Sequence, residues 1–167
     1  QEVSEEIDAA VFGNLAHLSM GILYQDFAKR KNRTLLEKSD FEELNKNWVF
    51  PAIEKAIRQF YHLEGEADTK LNGQMAIARD VLQKYLHQIL KIDEVSAPFK
   101  LISLEKEKRY TAGLKIETAT GDQTVSLKGI IDRVDEHNGS VRLIDYKFGQ
   151  ENKTFPDVES LFDRSLI

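Results

Sequence analysis

Asp132, Asp145 and Lys147 are the residues of this chain whose types and spacing point most directly to chemistry. Asn138-Gly139 separates two alternating apolar runs, 129–135 and 143–147. That dipeptide in that setting predicts a hairpin closed by a two-residue type I′ turn. His137 then faces Ser140, and counting outward brings Asp132 opposite Asp145. The pair falls in a non-hydrogen-bonded slot, where Cα atoms approach to roughly 4.5 Å. Two carboxylates opposed in this way destabilise the sheet, and a divalent cation between them removes the repulsion. Lys147 lies two residues beyond Asp145, so the strand period of two places it on the same face. Two acids and a lysine converging on one point suit metal-assisted cleavage of a phosphodiester.

Asp132 followed by Asp145-Tyr146-Lys147 resembles the signature of the PD-(D/E)XK nuclease superfamily. The longer strings Gly129-Ile130-Ile131-Asp132-Arg133-Val134-Asp135 and Ile144-Asp145-Tyr146-Lys147-Phe148-Gly149 are similar to its RecB-like branch. That branch includes the nuclease domains of the RecB and AddB recombination proteins and some CRISPR-associated nucleases. It also carries a histidine on an early helix in a Gly-x-x-x-His setting, which Gly13-Asn14-Leu15-Ala16-His17 matches. The resemblance runs in order over most of the chain: histidine helix, helical insert, then strands.

The resemblance implies that Asp132, Asp145, His17 and the backbone carbonyl of Tyr146 hold Mg²⁺ or Mn²⁺, hard cations suited to oxygen donors. An imidazole in the set favours manganese. Lys147 would orient the attacking water or stabilise charge developing on the phosphate. Plainer readings stand beside these: Asp145 as an acid at the sheet rim paired with Lys147, and His17 as an ordinary core histidine. Asp145 follows an apolar strand and is expected at a buried strand end. Arg133 and Asp135 share the opposite strand face and read as supports behind the site, with Arg133 a further candidate for phosphate contact. Glu105 lies where the branch often has a glutamate, within the charged run 105–109. Lys29, Arg30, Lys31 and Arg33 read better as a solvated helix end than as phosphate contacts. The branch's Gln-x-x-x-Tyr helix does not follow Gly149, and the chain opens at Gln1 without a methionine. Both suggest a piece of a longer protein.

The 167 residues suffice for one domain with a real core. Apolar content of 41% and charged content of 31% describe a globular chain. No apolar run or leader-like N-terminus points to a membrane or to export. Zero cysteines exclude disulfides and an iron–sulfur cluster, and fit the reducing cytoplasm. The net charge of −5 is poor for a nucleic-acid binder. The deficit sits mostly in residues 1–96, with 16 acids and 12 bases, against 12 and 11 in the remainder.

Period 3.6 predicts helices over 4–30, 40–48, 51–63 and 68–91. Ser39-Asp40-Phe41-Glu42 reads as a capping box and Pro51 as a break or kink. The first helix has glycines above and below His17, which would let another backbone approach it. Leu71, Met75, Ala78, Leu82, Tyr85, Leu86 and Ile89 should face the core. Beyond Pro98 the period becomes two, with strands near 98–109, 112–119, 123–135 and 140–147 and turns at 111–113, 121–122 and 138–139. The expected fold is α/β, restriction-endonuclease-like, in a single domain: a helical part over about 1–95 and a small mixed sheet over about 96–150. The expected function is metal-dependent DNA cleavage in recombination or repair, with a helicase region in the same chain or a partner subunit. The alternative is a DNA- or protein-binding module that keeps the fold without catalysis.

Overall fold

The computed structural model describes residues 8–63, 73–104, 109–118 and 121–148, with backbone alone at 117 and 118. Helix α1 (Ala9–Lys31) starts where the Asp8 carboxylate accepts the Val11 N–H at 2.8 Å. It ends where Asn32 turns left-handed at φ 51° and returns its N–H to the last carbonyls. Lys29, Arg30 and Lys31 complement that end of the helix dipole. α1 buries Leu15, Met20, Leu23, Tyr24 and Phe27, and packs mainly on α3 (Val49–Phe60).

Two local expectations for the insert are corrected. Ser39 does precede α2 (Asp40–Glu43), but its side chain makes no capping bond. The Asp40 carboxylate instead accepts the Glu37 N–H at 2.8 Å and the Arg33 guanidinium at 2.6 and 2.7 Å. Arg33 and Lys31, which pairs with Glu43 at 2.6 Å, are thereby tied into the insert. Pro51 does not break the helix. A five-residue π segment, Leu44–Trp48, joins α2 to α3, and Pro51 sits in the first turn of α3, where a missing N–H costs least.

Helix α4 (Gly73–Ser96) buries Met75, Ala78, Leu82, Leu86 and Leu90 at three- and four-residue steps. The next step is Asp93, also buried. Tyr85, expected in the core, is 42% exposed. No helix among the described residues is long and apolar enough to cross a membrane.

A four-stranded sheet follows, in the order β1 (Leu35–Leu36), β2 (Phe99–Leu104), β5 (Arg133–His137), β6 (Ser140–Ile144). Its pairings are antiparallel throughout, where a mixed sheet was expected. β3 (Arg109–Thr118) and β4 (Gly121–Ile130) form a separate two-stranded hairpin whose described side chains are almost all exposed. The expected turn at 111–113 is therefore mid-strand, with Thr111 opposite Lys128 and Gly113 opposite Ser126. The expected strand 123–135 is two strands, divided at Ile131-Asp132.

A buried ion pair joins α4 to β5. The Arg133 guanidinium is 1% exposed and forks onto both Asp93 carboxylate oxygens at 2.7 Å. Removing one member of a buried pair strands the other charge, whereas replacing both by apolar groups removes the desolvation cost as well. Asp93→Ala should lower the unfolding free energy in urea by about 3–5 kcal/mol. Asp93→Leu combined with Arg133→Met should cost much less than the single change. Equal losses in the two proteins would show that the pairing is not what Asp93 supplies.

Candidate active site

The β5–β6 hairpin turns on Asn138 (φ 50°) and Gly139 (φ 75°), the two positive-φ positions of a type I′ turn. Its register is the expected one, from His137 opposite Ser140 out to Arg133 opposite Ile144. The ladder stops at that pair, so Asp132 and Asp145 stand at the fork just beyond it and not as a laddered pair.

Side chains around the fork point alternately into the core and out to the site. Arg133, directly after Asp132, reaches inward to Asp93 and lies over the rings of Tyr24, Phe99 and Tyr146 at 5.2, 4.9 and 5.7 Å. Tyr146, between Asp145 and Lys147, also turns inward, and its hydroxyl accepts from Arg133 at 2.8 Å. The Tyr24 hydroxyl of α1 donates to the same Asp93 carboxylate. Burial pushes both phenols up, well above their ordinary range, so each stays protonated and available as a donor. Burial alone would lower the Arg133 pKa, but Asp93, Tyr146 and Tyr24 together outweigh it and keep the guanidinium charged.

The outward-pointing residues meet on the other side. The Tyr146 N–H donates to Asp132 Oδ2 at 2.6 Å, and His17 Nδ1 of α1 lies 3.2 Å from the same oxygen. Lys147 Nζ is 2.6 Å from Asp145 Oδ2. Burial pushes the Asp132 carboxyl up, but its contacts with His17 and the Tyr146 N–H pull it down, and the net shift is below its usual range. Asp132 is thus brought to His17 and Tyr146, and Asp145 to Lys147. A Cβ at Gly13 or Gly21 would meet nothing within 4 Å, so the glycines flanking His17 admit no close backbone, contrary to expectation.

Asp145 is not at a buried strand end: its side chain is 60% exposed and that of Lys147 is 56%. Arg133 is fully engaged in the core and out of reach of a phosphate. Asp135 is also buried, held by Arg133 Nε at 3.0 Å and Arg142 Nε at 2.6 Å. Glu105 lies outside the described residues. Reasoning from the sequence missed Asp93 and Tyr24. The usable signal was Asp93 itself, an acid on the apolar stripe of α4, which burial tolerates only with a partner. It also missed Phe148, whose ring meets His17 edge-on at 5.2 Å.

The donors are of the kind that Mg²⁺ or Mn²⁺ takes: carboxylate oxygens, a carbonyl and an imidazole. Among the described residues no three His, Asp or Glu side chains are gathered into a group that could hold a metal ion. The group falls short because Asp145 is turned to Lys147, while Asp132 is turned to His17 and Tyr146. The donor types suit such a cation, and a shared site would require Asp145 to turn from Lys147 towards Asp132.

The family model of the PD-(D/E)XK nuclease superfamily matches residues 1–163. No curated protein and no solved structure gives a match.

Asp132 should titrate below the ordinary carboxyl range in a chelating buffer, and His17→Ala should raise its pKa; side-chain carboxyl NMR reads both. Because the folded-state value is depressed, the stability from ionised Asp132 is present above about pH 4 and lost as pH falls through the folded value. Asp132→Asn should therefore lower the Tm at neutral pH and approach the parent protein in acid. A pKa indifferent to His17→Ala would separate the imidazole from this carboxylate.

Proposed function

The chain belongs to the PD-(D/E)XK nuclease superfamily, and from that premise we propose that it is a metal-dependent nuclease domain cleaving DNA phosphodiester bonds. The observation that supports the reading is that two contacts, His17 with Asp132 and Lys147 with Asp145, stand at the open end of the β5–β6 hairpin. Asp132, Asp145, His17 and the Tyr146 carbonyl are the groups that would hold Mg²⁺ or Mn²⁺. Such an ion supplies Lewis-acid polarisation of the phosphate and a more acidic attacking water.

The chain's own groups do the rest. Lys147, released from Asp145, donates to a phosphate oxygen as negative charge builds there. Asp145 keeps the ammonium at the site until substrate arrives. The Tyr146 N–H and His17 fix the Asp132 carboxylate in its ionised form. Arg133 and Tyr146, locked in the core, fix the backbone from which the two acids project, so that the main adjustment left is for Asp145 to turn from Lys147.

A finer assignment rests on the sequence resemblance: a RecB/AddB-like exonuclease domain of a larger cytoplasmic recombination or repair protein, working with a helicase region. The rival is a binding module of the same fold without catalysis. The Asp145–Lys147 ion pair favours that rival, since a sheet-rim acid with a lysine partner needs no metal to account for it.

Cleavage of single- and double-stranded DNA with Mn²⁺ or Mg²⁺ decides between them. Lys147→Ala should reduce kcat by about 10²–10³-fold, the scale of one lost charge-stabilising donor. Asp132→Ala and Asp145→Ala should each remove most activity, and the double change should cost little more than either, because the groups act as a unit. EDTA should abolish cleavage. Full activity in Lys147→Ala would overturn the mechanism, and a folded but inactive parent protein would favour the binding module.

A further inference from the structure

Helices α1 and α4 leave a groove of ≈ 560 Å³ between them, lined by Phe12, Gln74, Ile77, Val81, Tyr85 and Phe148. Its size is within the range of about 300–1,000 Å³ typical of small-ligand sites. Ring contacts link the groove to His17. Phe148, the residue after Lys147, meets His17 edge-on at 5.2 Å, Tyr85 meets Phe148 at 6.0 Å, and Phe12 meets Tyr85 at 5.9 Å. Those three contacts are close to perpendicular, at 87°, 84° and 68°. A row of rings therefore leads from the histidine to the groove floor.

The lining is also unusually open for apolar side chains. Tyr85 is 42% exposed and Ile77 67%, although both lie on one side of α4 with Ala78 and Val81. Among the described lining residues the one charged group is Asp8, whose carboxylate already caps α1. With Asp8 the one charge among the described lining residues, the groove suits a flat neutral group better than a phosphate. Gln74 adds an amide that can both donate and accept at the edge of such a group.

We infer that this groove stacks an unpaired nucleobase of the strand whose phosphate lies at Asp132. Every base presents a π-face, and aromatic side chains bind it regardless of sequence. A base paired within a duplex cannot enter, so the subsite selects an unpaired stretch or a frayed end. The inference rests on the nuclease reading above.

The test is equilibrium binding of a short single-stranded oligodeoxynucleotide and of a blunt duplex. It is done in the Lys147→Ala background, so that substrate is not consumed. Each base of the single strand is removed in turn as an abasic site. One position near the bound phosphate should weaken binding by about 5- to 150-fold, the size of one base–aromatic stack. Tyr85→Ala should weaken the intact strand comparably and erase the effect of the abasic site, while Tyr85→Phe should keep it. Ile77→Glu, at an exposed position, should act like Tyr85→Ala without removing a packed ring. Neither change should alter duplex affinity. 2-Aminopurine at the sensitive position should be quenched on binding to the Tyr85 protein and not to Tyr85→Ala. Single-strand binding indifferent to both substitutions overturns this subsite and leaves the nuclease reading intact. A folded protein that binds neither DNA overturns both.

Discussion

A guanidinium taken wholly out of water is the constraint around which this molecule is arranged. Arg133 carries its charge into the core and there meets carboxylates from two directions, Asp93 of α4 and Asp135 of its own strand. Aromatic faces from α1, β2 and the segment after β6 close around it. Desolvating such an ion costs several kcal/mol, and only near-complete satisfaction of its donors offsets that cost. The fork on Asp93 and the Tyr146 hydroxyl satisfy the terminal nitrogens, while Nε makes no hydrogen bond and has the Asp135 charge 3.0 Å away. Few relative placements of helix and sheet satisfy all of them together, so the network fixes how α1, α4 and the β5–β6 hairpin sit on one another. Asp132 and Asp145 inherit that placement because each is the immediate chain neighbour of a residue in the network.

The chemistry at the surface follows a different rule. Each acid at the fork has its own positive or donor partner: His17 and a backbone N–H for Asp132, an ammonium for Asp145. The cross-strand repulsion expected from register alone is therefore already relieved by the protein. Relief is uneven. Asp132 is 13% exposed and held by groups that cannot leave without moving α1 or the backbone, while Asp145 and Lys147 are bound to each other through solvent-exposed side chains. One acid is fixed and the other adjustable.

The sequence made the hairpin legible because its turn residues, alternation and register are all local. Asn138-Gly139 was sufficient to set the pairing from His137 to Arg133. The long helices were readable for the same reason. What escaped depended on distant partners. Arg133 looks like a surface residue until Asp93, forty positions away in sequence, is brought under it. Ser39 has the right side chain for a cap, but the Arg33–Asp40 pair turns the Asp40 carboxylate onto the Glu37 N–H and the cap never forms. Pro51 is absorbed by a π segment, an option that periodicity does not contain. The strand through 123–135 divides because Ile130 pairs with Arg109 while Arg133 pairs with Leu104, two different ladders with Asp132 between them.

The hairpin of β3 and β4 lies outside the Arg133 network. Its ladder runs for ten pairs, yet Leu114, Ile116, Val125 and Leu127 on its apolar side are between 41% and 53% exposed. Two strands without a covered face are marginal in water. Their opening costs only the local ladder, whereas opening β5 exposes a buried ion cluster. Backbone amides should accordingly divide into two exchange classes, with those of β3 and β4 taking up deuterium through sub-global opening while those of β5 and the middle of α1 wait for global unfolding. The division falls at Ile131-Asp132, so this acid stands between a lightly held hairpin and the buried ion cluster.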